Sequence, residues 1–397
     1  MREIKYIWLL VLLVLAGCTS DEVGPERKDT PIQIVGYVPS YMDPPTPFRG
    51  RNYSHLSPVN CQLSTANSLT RTEWTPPEGY SLYTGNENGT TALGAFFTSG
   101  TESDKRRIYY HTVEKKWYIE GESPSGSKYL YGYIPYNAAD VTIAPNGNDY
   151  SNGATLTFNN MKSVMTTDTC VIVGAKEGAN ANTTPEGLQP GKFFTNLTAN
   201  NNHLYLLCEH LYSKLEFCFR VGAEYAALRT IKLRKVELIG YSYTLDNLSD
   251  KTPMKEKGSL TVTLTANDQG ISPLGEDVIL FTPNESSAVM PPILLFEGEE
   301  ALPSNAYTTE TAYVPYFNLS GSGKVLYILR TTYDVYDTKG NLIRKGCVAE
   351  NQIVPKERFS KNQLQRGYKY TLQLTVVPTY LYVLSEPDLD NPTVTLE

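Results

Sequence analysis

Apolar and polar residues alternate one by one along several stretches of this chain, and this alternation constrains the fold more than any other feature. In residues 214–221, apolar Leu215, Phe217 and Phe219 are separated by Glu216 and Cys218. Successive side chains of a β-strand point to opposite faces, so the pattern predicts a half-buried strand of an antiparallel sheet. The same pattern recurs in residues 129–133, 259–266 and 368–376. The sequence therefore predicts an all-β protein.

Turn residues and breaks in the alternation predict some of the connections. Residues 325–336 and 342–348 flank Asp337-Thr338-Lys339-Gly340-Asn341, a segment typical of a β-hairpin. Arg234-Lys235 interrupts a regular strand pattern and predicts a bulge. Helical periodicity is confined to two candidates for short helices, residues 201–213 and 222–228.

The length and composition indicate a globular protein of two domains. A chain of 397 residues exceeds what one small core requires. We predict two tandem antiparallel β-sandwich domains, residues 31–250 and 251–397, separated within the polar stretch 243–257. Hydrophobic residues make up 41% and charged residues 19%, which argues against a disordered or fibrous chain. The net charge of −7, without a basic cluster, argues against a nucleic-acid partner, because phosphate binding requires clustered Lys and Arg.

The first eighteen residues have the order of a lipoprotein export signal. Arg2 and Lys5 precede an apolar run of ten residues, 7–16, which is too short to span a bilayer core of about 30 Å. The run leads to Cys18 in an order that resembles a bacterial lipobox, whose cysteine is diacylated and carries palmitate. The alternative is an ordinary signal peptide with a chance cysteine. The predicted segments are a signal peptide, residues 1–17, and a lipidated tether, residues 18–30.

Residue patterns for catalysis and cofactor binding are scarce. The chain has four histidines and six cysteines, without a phosphate-binding glycine loop, a zinc-protease motif or a serine-hydrolase elbow. His203 and His210 are a conceivable metal pair, although packed histidines are the simpler interpretation. The cysteines are expected to be mostly free and buried, with a Cys208–Cys218 bridge as the alternative. We therefore predict no enzyme, no catalytic residue, no cofactor and no metal site.

Three motifs in chain order resemble those of the fimbrillin family, the lipoprotein pilins of Bacteroidetes type V pili. They are residues 129–136 (YLYGYIPY), 210–217 (HLYSKLEF) and 233–240 (LRKVELIG). The family shows the same order after its lipobox. The resemblance implies that both sandwiches are transthyretin-like, with Greek-key connections, and that the protein reaches the surface of the cell outer membrane and becomes part of a fimbrium.

The resemblance also implies how the precursor matures. In fimbrillins a trypsin-like protease removes the N-terminal segment together with its first strand. Here residues 32–38 form a β-type run that precedes the proline-rich, exposed stretch 41–58. Arg49 and Arg51 within this stretch are the predicted cleavage sites.

Assembly by strand exchange is the further implication of the resemblance. The emptied groove would accept a strand from a neighbouring subunit, usually its C-terminal extension. The chain ends in two short β-type runs, each after a proline. The side chains predicted to fill the groove are Leu381, Val383, Val394 and Leu396. The implied partners are other pilin subunits, identical or different, the maturation protease, and the outer membrane through the lipid on Cys18 before cleavage.

The sequence thus predicts a non-enzymatic fimbrial subunit for adhesion. The alternative is a surface glycan-binding lipoprotein in which Tyr129, Tyr131 and Tyr133 form an exposed platform for sugar rings. A third class, a glycosidase, requires two carboxylates about 5–10 Å apart in a cleft.

Overall fold

Strands account for nearly all regular structure in the described part of the chain, as the alternating pattern predicted. The computed structural model describes residues 29–38, 41, 92–111, 113–178, 188–198, 202–243, 250–267, 279–317, 323–353, 364 and 366–376. These residues contain twenty β-strands, one helix, α1 (Ala223–Ala226), and a 3₁₀ turn at Tyr150–Asn152. The all-β prediction is confirmed. Among the helices in these ranges, none has the length and apolar character needed to cross a membrane.

Eight strands form the first sheet, which closes on itself. Their spatial order is β2 (Leu93–Ser99), β3 (Glu102–His111), β4 (Lys116–Ile119), β1 (Thr30–Tyr37), β10 (His203–His210), β8 (Cys170–Gly178), β5 (Gly126–Ile134) and β9 (Phe194–Leu197). Because β5 also pairs with β2, seven strands make a closed ring and β9 is attached to β5. The seam depends on glycine, since a Cβ at Gly132 would lie 2.4 Å from the carbonyl oxygen of Gly94.

The other twelve strands form three sheets. One has the order β17 (Thr308–Val314), β11 (Ser213–Val221) and β20 (Lys369–Val376). Another has the order β15 (Ile279–Pro283), β14 (Lys257–Thr265), β7 (Gly153–Lys162) and β6 (Asp140–Pro145). The last has the order β13 (Thr252–Pro253), β12 (Arg229–Tyr243), β18 (Lys324–Asp337) and β19 (Leu342–Ile353), with β16 (Ile293–Ala301) also paired to β12. The β1–β10 and β11–β20 pairs are parallel, which departs from the predicted fully antiparallel sheets.

The first sheet contributes side chains to two cores, one on each face. One core contains side chains of this sheet, among them Ile34, Trp117 and Leu206, together with Val38, so it fills the interior of the ring. The opposite face of the sheet contributes Tyr131 and Tyr133 to a larger core that includes residues of the other three sheets. Alternate residues of the same strands therefore serve two cores.

Strand pairing crosses the boundary predicted between residues 250 and 251. Strand β14 of the second predicted domain pairs with β7 of the first, and β11 and β12 of the first pair with β17, β20 and β18 of the second. The boundary therefore does not coincide with a division between sheets. The polar residues that predicted the boundary carry no information on which distant strands pair.

The local predictions have mixed outcomes. The hairpin is confirmed, because β18 and β19 pair across residues 337–341. The bulge is confirmed by a register shift between Leu233 and Lys235 in the pairings of β12 with β16 and with β18. The helix predicted at residues 201–213 is wrong, since residues 203–213 form β10, a short turn and the start of β11. The stretch 222–228 does contain the short helix α1.

Candidate functional site

Strand β1, the first strand of the described chain, lies inside the first sheet rather than at an edge. Its residues Thr30 to Ile32 pair with β4 in antiparallel register. Its residues Gln33 to Tyr37 pair with β10 in parallel register, from His203 to Leu207. The strand thus joins two parts of the ring that lie far apart in the sequence. Its removal would leave a slot between β4 and β10.

The side chains of β1 and the residue after it fill the core of the ring. Ile32, Ile34 and Val38 are 3%, 1% and 1% exposed, and all three belong to the core inside the ring. The intervening Tyr37 faces the larger core instead. Burial of one aliphatic side chain of this size contributes about 1.5–3 kcal/mol. The slot is therefore lined by apolar groups and fits an extended segment with alternating aliphatic residues.

The beginning of β1 is held by a set of hydrogen bonds that we call the start clasp. The carboxylate of Asp29 accepts from the Gly121 N–H (2.9 Å) and from the Tyr109 hydroxyl (2.5 Å). The N–H and the hydroxyl of Thr30 both donate to the Gly121 carbonyl, at 3.1 and 3.0 Å. The Ser123 N–H donates to the Thr30 hydroxyl at 2.9 Å. The two bonds to the Asp29 carboxylate are charge-assisted, and such bonds are among the stronger hydrogen bonds in proteins.

Beyond its other end, β1 is held by Tyr41, Asp168 and His210, which we call the end pin. The Tyr41 ring stacks on the His210 ring, with centroids 3.8 Å apart. The Tyr41 hydroxyl donates to Asp168 Oδ1 at 2.7 Å. Burial, and then the negative charge of Asp168, raise the pKa of Tyr41 far above its ordinary value. The phenol therefore keeps its proton and stays a hydrogen-bond donor.

A groove of about 440 Å³ runs beside β1. It is lined by Gln33 and Val35 of β1, by Tyr110 and Trp117, and by Asn202 and His203. Burial lowers the pKa of His203, so the imidazole facing this groove favours its neutral form. The Asn202 amide donates to the Pro31 carbonyl at 3.2 Å and adds a polar contact near the start of β1.

The predicted modification, cleavage and donor residues lie outside the described part of the chain. They are Cys18, Arg49, Arg51, Leu381, Val383, Val394 and Leu396. Lipidation, proteolytic maturation and the donor role of the C-terminal runs therefore stay predictions. Tyr41 is the described residue nearest to the two arginines in the sequence.

The tyrosine platform required by the glycan-binding alternative is not formed. Tyr131 and Tyr133 are 0% exposed, and Tyr129 is half-buried. The hydroxyls of Tyr131 and Tyr133 donate to the Tyr150 and Tyr136 carbonyls, and burial raises the pKa of both phenols. The alternation in β5 does place the rings on one face, but that face packs into the larger core.

The described cysteines and histidines differ in part from their predicted arrangement. Cys170, Cys208, Cys218 and Cys347 are free and buried, so the main prediction holds for them and the Cys208–Cys218 bridge is absent. His203 and His210 lie at opposite ends of β10 and form no metal pair. Sequence reasoning missed the proximity of Asp168, Cys170 and His210. The only sequence feature that could have indicated this cluster is the spacing of Asp168 and Cys170, which are two residues apart.

No protein-family model and no curated protein matches this chain. Solved structures do resemble it. A proposed cell adhesion protein from Bacteroides ovatus ATCC 8483 has 11% identity and a TM-score of 0.35, with 93% of this chain and 96% of that chain covered. A proposed cell adhesion protein from Bacteroides uniformis ATCC 8492 has 12% identity, a TM-score of 0.34 and coverages of 72% and 86%.

A fimbrial protein from Bacteroides vulgatus ATCC 8482 also resembles the chain. It has 11% identity and a TM-score of 0.31, with 77% of this chain and 90% of that chain covered. Cell adhesion and fimbrial proteins of Bacteroides are thus among the solved structures similar to this chain.

Proposed function

We propose that this chain is a structural subunit of a surface fimbria, without enzymatic activity, that polymerises by donor-strand exchange and serves adhesion. The observation that carries the proposal is the position of β1. This strand lies at the beginning of the described chain and completes a closed ring. The start clasp holds its beginning, and the end pin holds the chain beyond its end. A strand in this position can act as a temporary occupant of a slot that later receives a strand from another subunit.

The physical reason for exchange is the surface that β1 covers. Loss of the strand would leave backbone N–H and C=O groups of β4 and β10 without their ladder partners. It would also expose the apolar interior around Trp117 and Leu204. An extended segment that pairs with β4 and β10 would satisfy these backbone groups. Its alternate apolar side chains would cover the exposed interior. A second copy of the same chain would supply such a segment from its C-terminal runs.

Cleavage explains the timing of exchange. While β1 is covalently linked to the rest of the chain, its high effective concentration favours its return to the slot. Arg49 and Arg51 follow Tyr41, so a cut at either residue leaves β1, Asp29 and Tyr41 on one fragment. That fragment can then diffuse away and cannot compete with the incoming strand. The protease for this step would be trypsin-like.

The proposal includes a surface location before and after assembly. The lipid on Cys18 would hold the precursor on the cell outer membrane, and cleavage would free the subunit from this anchor. Its partners would be other pilin subunits, and no cofactor is needed.

Limited proteolysis followed by sizing tests the proposal. The purified lipid-free chain carrying Cys18→Ala is treated with trypsin and examined by size-exclusion chromatography and unheated SDS gels. We expect cleavage at Arg49 or Arg51 and a ladder of oligomers. The matched control, Arg49→Gln with Arg51→Gln, is expected to stay uncut at this stretch and monomeric.

A second control separates cleavage from donation. A chain truncated after Val377 lacks both C-terminal runs, so it should be cut by trypsin and yet stay monomeric. Cleaved full-length chain that loses β1 and still remains monomeric would contradict the proposal. A glycan array run on the same monomeric sample would then test the glycan-binding alternative.

A further inference from the structure

Three side chains with metal-binding atoms meet at the end of β10, beside the end pin. Cys170 begins β8 and His210 ends β10, and the two residues lie directly opposite each other in the antiparallel register. Asp168 precedes Cys170 by two residues, and its carboxylate lies within 4.8 Å of the Cys170 sulfur and of a His210 ring nitrogen. All three side chains are buried, with 8%, 0% and 5% exposure for Asp168, Cys170 and His210.

The distances within this cluster suit a tetrahedral metal site. Cys170 Sγ lies 3.6 Å from Asp168 Oδ2 and 3.6 Å from His210 Nδ1. Zinc bonds of about 2.3 Å to sulfur and about 2.0 Å to nitrogen or oxygen, at tetrahedral angles, place such atom pairs about 3.6 Å apart. His210 Nδ1 and Asp168 Oδ2 are 2.6 Å apart and share a hydrogen bond. This pair would have to separate by about 0.7 Å on metal binding.

We propose that Asp168, Cys170 and His210 form a binding site for Zn²⁺ or a similar transition-metal ion. A thiolate and an imidazole favour such ions over Mg²⁺ or Ca²⁺, which prefer oxygen ligands. A carboxylate, a thiolate and a neutral imidazole also balance the two positive charges of the ion. Such neutrality matters at a buried site, where uncompensated charge is costly. Three protein ligands leave a fourth position for water or an outside group.

Protons move in a defined way when the ion binds. Cysteine binds such ions as its thiolate, so the Cys170 thiol must lose its proton on binding. Binding releases this proton to solvent. Asp168 Oδ2 and His210 Nδ1 share a hydrogen bond. Nδ1 coordinates an ion only when it carries no proton, so a proton on Nδ1 must move to Nε2.

Tyr41 supports the arrangement of the ligands. Its hydroxyl donates to Asp168 Oδ1, and so does the Thr169 N–H, at 2.7 Å in both cases. These bonds fix the carboxylate with Oδ2 directed at Cys170 and His210. Contacts of this kind to a ligating carboxylate typically change metal affinity about 10- to 100-fold.

Cobalt spectroscopy tests the site, with Co²⁺ as the probe for Zn²⁺. The full lipid-free chain carries Cys18→Ser and Cys61→Ser, so that every remaining thiol is one of the described cysteines. We expect one Co²⁺ per chain, a thiolate-to-cobalt charge-transfer band in the near ultraviolet, and displacement by one equivalent of Zn²⁺. Cys170→Ser should abolish the band, and the matched control Cys218→Ser, at a buried thiol outside the cluster, should retain it.

A second readout covers the carboxylate. Asp168→Asn should weaken Zn²⁺ binding at least about tenfold in competition with a chromogenic chelator, because it replaces a charged ligand by a neutral one. Far-ultraviolet circular dichroism shows whether each variant is folded. A parent chain that gives no charge-transfer band at saturating Co²⁺ would overturn the assignment whatever the variants do. A band that survives Cys170→Ser, or Zn²⁺ affinity unchanged in Asp168→Asn, would overturn it as well.

Discussion

Strands β1 and β20 are the first and last strands of the described chain, and each runs parallel to a strand that is central to its sheet. Within the described residues, β1 has β4 on one side and β10 on the other, whereas β20 pairs with β11 alone. The strand that we propose to leave is thus the more deeply embedded of the two. The strand that precedes the proposed donor runs lies at a sheet edge, from which the chain can lead to another subunit.

Apolar burial does not account for this difference. Ile34 of β1 is 1% exposed and Leu374 of β20 is 3% exposed. The polar contacts differ more. The start clasp and the end pin hold residues on either side of β1, whereas β20 carries partly exposed contacts along its length, such as Lys369 and Thr371 with Glu216. The comparison teaches that burial keeps both strands in place, and that β1 has in addition polar contacts at its start and beyond its end.

The largest expected effect comes from matched truncations in the two strands. We expect Ile34→Ala to lower the free energy of unfolding by about 4 kcal/mol and Leu374→Ala by about 2–3 kcal/mol. An interior strand is fixed on both sides and leaves a cavity, whereas an edge strand can shift to close part of it. Urea denaturation followed by circular dichroism measures both values. Equal or reversed costs would break the comparison.

A smaller effect is expected from the end contacts. Tyr41→Phe removes the hydrogen bond to the Asp168 carboxylate and should cost about 1.5–3 kcal/mol, as bonds to charged groups do. The matched control is Tyr307→Phe, because the Tyr307 hydroxyl donates to Gln373 of β20 at an exposed position. This change should cost less than about 0.5 kcal/mol. Hydrogen exchange should show faster opening of β1 in Tyr41→Phe alone, and unchanged exchange there would argue against the end pin.

The smallest effects concern pH, and they separate the two regions. Burial lowers the pKa of His203, beside β1, from 6.5. Below pH 6.5 the unfolded chain takes up a proton at His203 that the folded chain does not yet bind. The free energy of unfolding therefore decreases as the pH is lowered, until the pH passes the folded-state pKa. Urea titrations across this range should show that His203→Gln removes part of the loss. An unchanged slope in this variant would contradict the assignment to His203.

Beside β20 the responsive group is Glu216. Burial would raise its pKa, but hydrogen bonds from Lys214 and Thr371 and the charges of Lys214 and Lys369 outweigh burial and lower the pKa from 4.5. Its contribution is therefore present above pH 4.5 and is lost as pH falls through the folded-state pKa. Glu216→Gln should remove this component and leave the component assigned to His203 unchanged. The reverse result would erase the distinction between the two regions.

Residues with local patterns were predictable from the sequence. The alternation of Leu215, Phe217 and Phe219 identifies β11, and the segment 337–341 identifies the hairpin of β18 and β19. In β11 one face of the strand is more exposed than the other. In the hairpin, the turn requires particular residue types, such as Asp, Gly and Asn. Such features leave a period or a residue type in the sequence.

Strand β10 shows where local patterns fail. Leu204, Leu206 and Cys208 enter the core of the ring, while Tyr205 and Leu207 enter the larger core. A strand buried on both faces shows no alternation of apolar and polar residues, so nothing in its pattern distinguishes it from a short buried helix. The parallel neighbours of β10 and β11, and the meeting of Asp168 with His210 across 42 residues, arise from register between distant strands. No single-sequence pattern records that register.

The fate of β1 during assembly is the most direct test of strand exchange. Oligomers and monomers from the trypsin-treated chain can be separated, denatured and weighed by intact mass spectrometry. The account predicts that every subunit in the oligomers begins after Arg49 or Arg51 and that the fragment containing Thr30–Tyr37 is absent from them. Monomers that have not exchanged should retain their own fragment. Oligomers that retain the fragment in stoichiometric amount would show that assembly does not use the slot of β1, and would contradict the central claim.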